Sequence, residues 1–249
     1  MINLINKNNK FIKEIQYSIV LIIIYFILVI LANILSDRIT KIPNSINVLV
    51  EIIFPIIVIT LLKRKKLLSY YGINSLKKLE FKNLLYFIPM IIISLVNLGF
   101  GIYINYSCLQ ILLISIAMLG VGFSEEILFR GFLMKAIMNK NPKVAILLPS
   151  IIFGIIHITN LFSGSNIVMT TLQVIYATFF ALMCSMFFYK TNNIIPCMIC
   201  HSITNITYTF LPNNLSIEYQ CIGCISMIIS SVFYTWYLYK TKKILVKIV

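Results

Sequence analysis

Glu125 and Glu126 stand side by side in GFSEEILFRG, four residues before Arg130, and the only two histidines, His157 and His201, follow in FGIIH and HSITN. Carboxylate and imidazole are the side chains that move protons near neutral pH, so this set fits a water activated by a carboxylate with imidazole help. Spacing orders the set further. Glu126 and Arg130 are i,i+4, share a helix face and can pair. Glu125 is turned about 100° from Glu126 and points elsewhere. Phe153 shares a face with His157, and Asn205 shares one with His201, by the same four-residue spacing.

Several hydrolytic chemistries are missing their residues. An aspartyl site needs two aspartates, and Asp37 is the only one. The zinc motif H-E-x-x-H is absent. Ser124, in GFSEE, lacks the G-x-S-x-G or G-x-S-G setting of a serine nucleophile. The pairs Cys197/Cys200 and Cys221/Cys224 imitate a zinc ribbon by spacing, but the topology below puts them near opposite faces of a membrane. They are expected to act as small apolar side chains.

The elements that carry these residues are apolar along most of their length. Hydrophobic residues make up 60% of the chain and charged ones 11%, against about 25% charged in a soluble domain. With about 20 residues per spanning helix, the sequence predicts an all-α, polytopic membrane bundle. Eight transmembrane helices are expected, over Ile15–Leu35, Ile46–Leu62, Leu84–Ile104, Cys108–Ile137, Val144–Asn160, Ile167–Tyr189, Ile194–Leu211 and Cys221–Tyr239. Ile15–Leu35 is read as the first span, because its long apolar core has no small-residue cleavage site.

Lysine and arginine alternate between the connections: 19 fall on one side and 2 on the other. The positive-inside rule makes the basic side cytoplasmic and places both termini there. The net charge of +14 then needs no nucleic acid as partner, because basic residues at span ends meet the anionic headgroups of the lipid bilayer. Lys63–Lys66 with Leu67 to Lys82 reads either as a helix lying on the cytoplasmic surface or as a solvated loop. Three regions are expected: N-terminal helices and a basic loop over 1–107, a core over 108–211, and a last helix with its basic tail over 212–249.

Of the 7 acidic residues and 2 histidines, Glu14, Asp37, Glu80 and Glu218 fall in or beside loops, and Glu51 is expected near the outer end of the second span, within reach of the interface. That leaves Glu125, Glu126, His157 and His201 inside the membrane, where each ionisable group costs about 2.5–3.5 kcal/mol on insertion scales and marks a functional site by default. Counted from the basic ends at ~1.5 Å per residue, Glu125 lies roughly 15 Å in, His157 roughly 21 Å and His201 roughly 12 Å, so one shared cavity is reasonable. Gly120, Gly122, Gly131 and Gly154 beside them are expected to let helices approach closely. Polar pairs gluing helices together normally use Ser, Thr or Asn, and this set exceeds that need. A proton-coupled transporter would also want buried Glu and His.

Together the three segments resemble the CAAX-protease and bacteriocin-processing family, the type II CAAX prenyl endopeptidases and their bacterial relatives. That family carries E-E-x-x-x-R, F-x-x-x-H and H-x-x-x-N/D in this order on successive membrane helices. Here they are Glu125-Glu126-x-x-x-Arg130, Phe153-x-x-x-His157 and His201-x-x-x-Asn205. The resemblance implies an intramembrane endopeptidase with Glu125 as general base on a water, aided by His157. His201 and Asn205 would stabilise the oxyanion, while Glu126, Arg130 and Phe153 support the site. It implies no required metal. Zinc is the alternative cofactor, since two Glu and two His can bind a metal, although no pair has a zinc-protease spacing. A peptide or membrane-protein substrate is expected, in a bacterial cell membrane, given the Ile/Asn/Lys-rich usage. The alternative is a non-enzymatic bacteriocin immunity or scaffold protein that keeps the motifs.

Overall fold

The computed structural model describes residues 2–40, 45–74, 85–212 and 214–241. Among these, eight helices form and no strand does. They are α1 (Ile2–Leu35), α2 (Asn47–Arg64), α3 (Ile88–Ser94, flanked by 3-10 turns within Leu85–Phe100), α4 (Cys108–Met138), α5 (Pro142–Ile156), α6 (Ile167–Thr191), α7 (Ile195–Thr209) and α8 (Ile217–Lys240).

Five of these helical stretches are long and apolar enough to cross a membrane: Phe11–Leu35, Cys108–Met138, Pro142–Phe162, Ile167–Thr191 and Ile217–Lys240. The other three predicted spans fall short for separate reasons. In α2, Glu51, Lys63 and Arg64 add charge to a helix of 18 residues, α7 has 15 residues, and Leu85–Phe100 is a shorter apolar helix. Outward faces are largely apolar, as with Ile23, Ile27, Ile151, Ile229 and Phe233, all exposed. A helix facing water would be polar there.

Helix starts follow from local chemistry. Ser107 and Gln110 close a capping box on α4, with Ser107 Oγ accepting from Gln110 N and Gln110 Oε1 accepting from Ser107 N. Asn141 Oδ1 caps α5 and Asn166 Oδ1 caps α6 by accepting from the first-turn amides. Beyond the end of α2, residues 67–74 run as turns rather than as a surface helix; residues 75–82 lie outside the described residues. These turns are pinned to the α6–α7 corner, where Ile194 N donates to Gly72 O at 2.9 Å and Asn74 Nδ2 to Asn192 O at 2.8 Å. Gly72 has φ +79 and no room for a Cβ against the Phe188 ring, so only glycine fits this close approach.

The site is positioned by α4. Helix α2 packs on one side of it and α7 on another, while α5 packs against α6 and α6 against α8. After Glu126 the winding of α4 changes to π over Ile127–Met134, all of it buried, before returning to α over Lys135–Met138. Such π segments recur at functional sites. This one begins directly after the paired glutamates and contains Arg130.

Three of the four glycines singled out in the sequence act as close-approach points. A Cβ at Gly120 would lie 2.4 Å from Glu51 O, one at Gly122 2.7 Å from Ser202 N, and one at Gly154 2.6 Å from Val174 O. Gly131 differs, with its nearest neighbour, Tyr71 O, at 3.6 Å.

Candidate active site

Glu125 and Glu126 sit at the last α-helical turn of α4 before the π segment, and both are buried. Glu126 Oε1 lies 3.0 Å from Arg130 Nη1, an ion pair with no exposed surface. The same oxygen lies 3.1 Å from His201 Nδ1 across the α4–α7 contact. One carboxylate therefore joins the motif arginine to the motif histidine.

His201 turns its other nitrogen to the second carboxylate, with Nε2 3.6 Å from Glu125 Oε2. Thus His201 is an imidazole beside Glu125, and His157, to which the resemblance gives the role of helper, borders the same cavity. His157 opens a 3-10 turn, His157–Ser163, at the end of α5. That turn is tied to α6 through Asn160 Nδ2, which donates to Gln173 Oε1 at 2.8 Å. Asn205, one turn beyond His201 on α7, borders the same cavity as Glu125, His157 and His201.

Phe153 is the hub of the packing. Its ring meets His157 and His201 edge to face, with centroids at 5.3 and 5.5 Å, and Phe129 at 5.2 Å. The Arg130 guanidinium carbon stands 4.9 Å from the Phe153 centroid, close enough for a cation–π contact. A single aromatic side chain thus fixes both histidines and covers the buried cation. Arg130 Nε, Nη1 and Nη2 make no hydrogen bond among the described residues, so the ion pair with Glu126 and this ring carry most of its compensation.

The cavity has a volume of about 1040 Å³ and is bordered by α1, α2, α4, α5, α6 and α7. Its lining also holds a carboxylate that the sequence placed elsewhere. Glu51 is fully buried rather than reaching the interface, and Tyr25 Oη lies 3.0 Å from each of its carboxylate oxygens. The α1–α2 junction brings it there, since Ile46 N donates to Ser36 Oγ at 2.9 Å and holds the start of α2 against the end of α1. A Glu inside an apolar run was the available signal.

The site residues do not converge as zinc ligands. Among the described residues, Glu125, His157 and His201 do not bring three ligand atoms within 4.8 Å of one another; the group that does is Glu126, Cys184 and Cys197. Glu126 is already paired with Arg130, and the guanidinium opposes a cation at that carboxylate. Cys197 Sγ donates to Cys184 O at 3.4 Å, as a small buried thiol does. The zinc-ribbon spacing is not realised as one cluster, because neither Cys200 nor the Cys221/Cys224 pair joins that group.

Residues 107–207 match the family described as type II CAAX prenyl endopeptidase Rce1-like. The matched segment contains every motif position from Glu125 to Asn205. No curated protein and no solved structure matches the chain significantly.

Proposed function

We propose that the protein is an intramembrane endopeptidase in which Glu125 activates a water against the carbonyl of a peptide bond. Glu125 takes a proton from the water as its oxygen adds to the carbonyl carbon. His201, protonated on both ring nitrogens with Nδ1–H on Glu126, presents its Nε2–H, and that N–H and the Asn205 amide stabilise the resulting oxyanion, while His157 helps to orient the water. Collapse breaks the C–N bond, and Glu125 returns the proton to the leaving nitrogen. Glu126 holds His201 through Nδ1, which fixes the imidazole orientation, and Arg130 balances the charge of Glu126.

The observation that carries this reading is His201 held between the two adjacent carboxylates, with one of them opening on a cavity large enough for a peptide. The catalytic unit is 108–211. Eight crossings with both termini on the basic, cytoplasmic side of a bacterial cell membrane follow from the charge alternation. Substrates are peptides or membrane proteins entering past the apolar wall of α1.

The test is cleavage of a quenched-fluorophore peptide library by purified protein in detergent. Glu125→Gln keeps the size of the side chain and removes the base, so turnover is expected to disappear while the protein still folds. Retained turnover in that variant would overturn the assignment.

A further inference from the structure

The cavity has a second polar wall that the proposed reaction does not use. Glu51 is fully buried and faces the cavity, with the Tyr25 hydroxyl within hydrogen-bond distance of both carboxylate oxygens. Among the described residues, no lysine, arginine or histidine forms an ion pair with it. Removing a carboxylate from water carries a large penalty, and neighbouring neutral hydroxyls offset little of it.

Asn47 lies four residues earlier, on the same face of α2. It is buried, borders the same cavity, and its Oδ1 has no hydrogen-bond partner among the described residues. Buried polar atoms normally have partners, so an orphan of this kind asks for an explanation. The two acceptors are held firmly. Gly120 lets α4 come against the α2 backbone at Glu51, where a Cβ would stand 2.4 Å from the carbonyl oxygen.

The wall therefore offers carboxyl and amide oxygens as acceptors, with few protein donors to match them. What fits is a group with several N–H bonds and a positive charge, a lysine ammonium or an arginine guanidinium. We propose that Glu51, Asn47 and Tyr25 form a subsite for a cationic side chain of the substrate, so that the protein selects apolar peptides carrying Lys or Arg near the bond that is cut. The proposal rests on the peptide-substrate reading above. With a net charge of +14, the protein repels cations at long range, so preference for a basic peptide must come from a local site.

Binding tests this without needing cleavage. Full-length Glu125→Gln protein in neutral detergent is titrated with dye-labelled, end-blocked, leucine-rich dodecapeptides in which one Lys occupies each position in turn. Each is compared with a twin carrying norleucine, which has a similar stem and no charge. The Glu125→Gln background removes the other cavity carboxylate as an alternative acceptor. At least one Lys register is expected to bind about tenfold more tightly than its twin, and Glu51→Gln in that background to erase the difference. Asn47→Leu should shrink the preference and Asn47→Asp should widen it, which keeps the idea testable should Glu51→Gln not fold. The subsite is overturned if no register discriminates, if discrimination survives Glu51→Gln, or if Asn47→Asp narrows it. Discrimination by a wild-type protein that cleaves nothing would remove the protease reading and keep the subsite; cleavage without discrimination would do the reverse.

Discussion

His201 and Glu126 meet through Nδ1 and Oε1 at 3.1 Å, across the contact between two helices whose motif residues lie 75 positions apart in the chain. That bond leaves Nε2 directed at Glu125. Glu126 is therefore a positioning residue for the imidazole as well as the partner of Arg130, and the two adjacent glutamates have different work.

The Glu126 pair has a signature of its own. Glu126→Gln removes the charge that balances Arg130 and weakens the hold on His201. Breaking a buried ion pair by removing one partner costs about 3–5 kcal/mol, so the variant should unfold at markedly lower denaturant and retain reduced turnover. The exchange E126R/R130E restores a pair and should recover part of the stability but not the His201 orientation. Recovery of full turnover by the exchange would show that Glu126 does not position His201.

Phe153→Leu keeps an apolar side chain and loses the ring that touches His157, His201 and Arg130. A fall in stability of about 1–3 kcal/mol is expected, together with a lower kcat at little-changed KM, because the histidines lose their rigid backing while the cavity stays open. Unchanged kcat in a stably folded variant would remove Phe153 from the site.

Glycine substitutions separate close approach from ordinary packing. Gly120→Ala and Gly154→Ala each drive a methyl into backbone of the next helix, at 2.4 and 2.6 Å, and overpacking of this kind costs about 1–3 kcal/mol. Gly131→Ala meets nothing nearer than 3.6 Å and should be tolerated. Thermal unfolding in one detergent ranks the three variants, and equal melting points would contradict the helix spacing.

Metal removal is expected to leave turnover intact, because the proton steps assigned to Glu125 need no Lewis acid. Prolonged chelation followed by assay checks this. Activity lost on chelation and restored by zinc would instead mean that site residues rearrange around an ion.

Topology has a direct reporter. Fusions of a reporter that works only in the cytoplasm, joined after Lys13 or after Lys243, should both be active, as the 19-to-2 distribution of basic residues demands. Silence at one end and activity at the other would leave an odd number of crossings.

What the sequence decided by itself is what depends on neighbours along the chain. Apolar runs marked the helices. Four-residue spacing gave the Glu126–Arg130 pair, observed at 3.0 Å, and the order of three short motifs led to the family that residues 107–207 match. What it left open is the rotation of each helix about its axis. In water an apolar stripe marks the inward face, but in a bilayer the lipid-facing and core-facing sides are both apolar, so the pattern loses its phase. For that reason only the tertiary structure placed His201 beside Glu125, turned Glu51 into the cavity with Tyr25, and gathered Cys184 and Cys197 around Glu126. Each of these depends on which faces of separate helices meet, and glycines such as Gly120 and Gly122 decide that by the backbone contacts they permit.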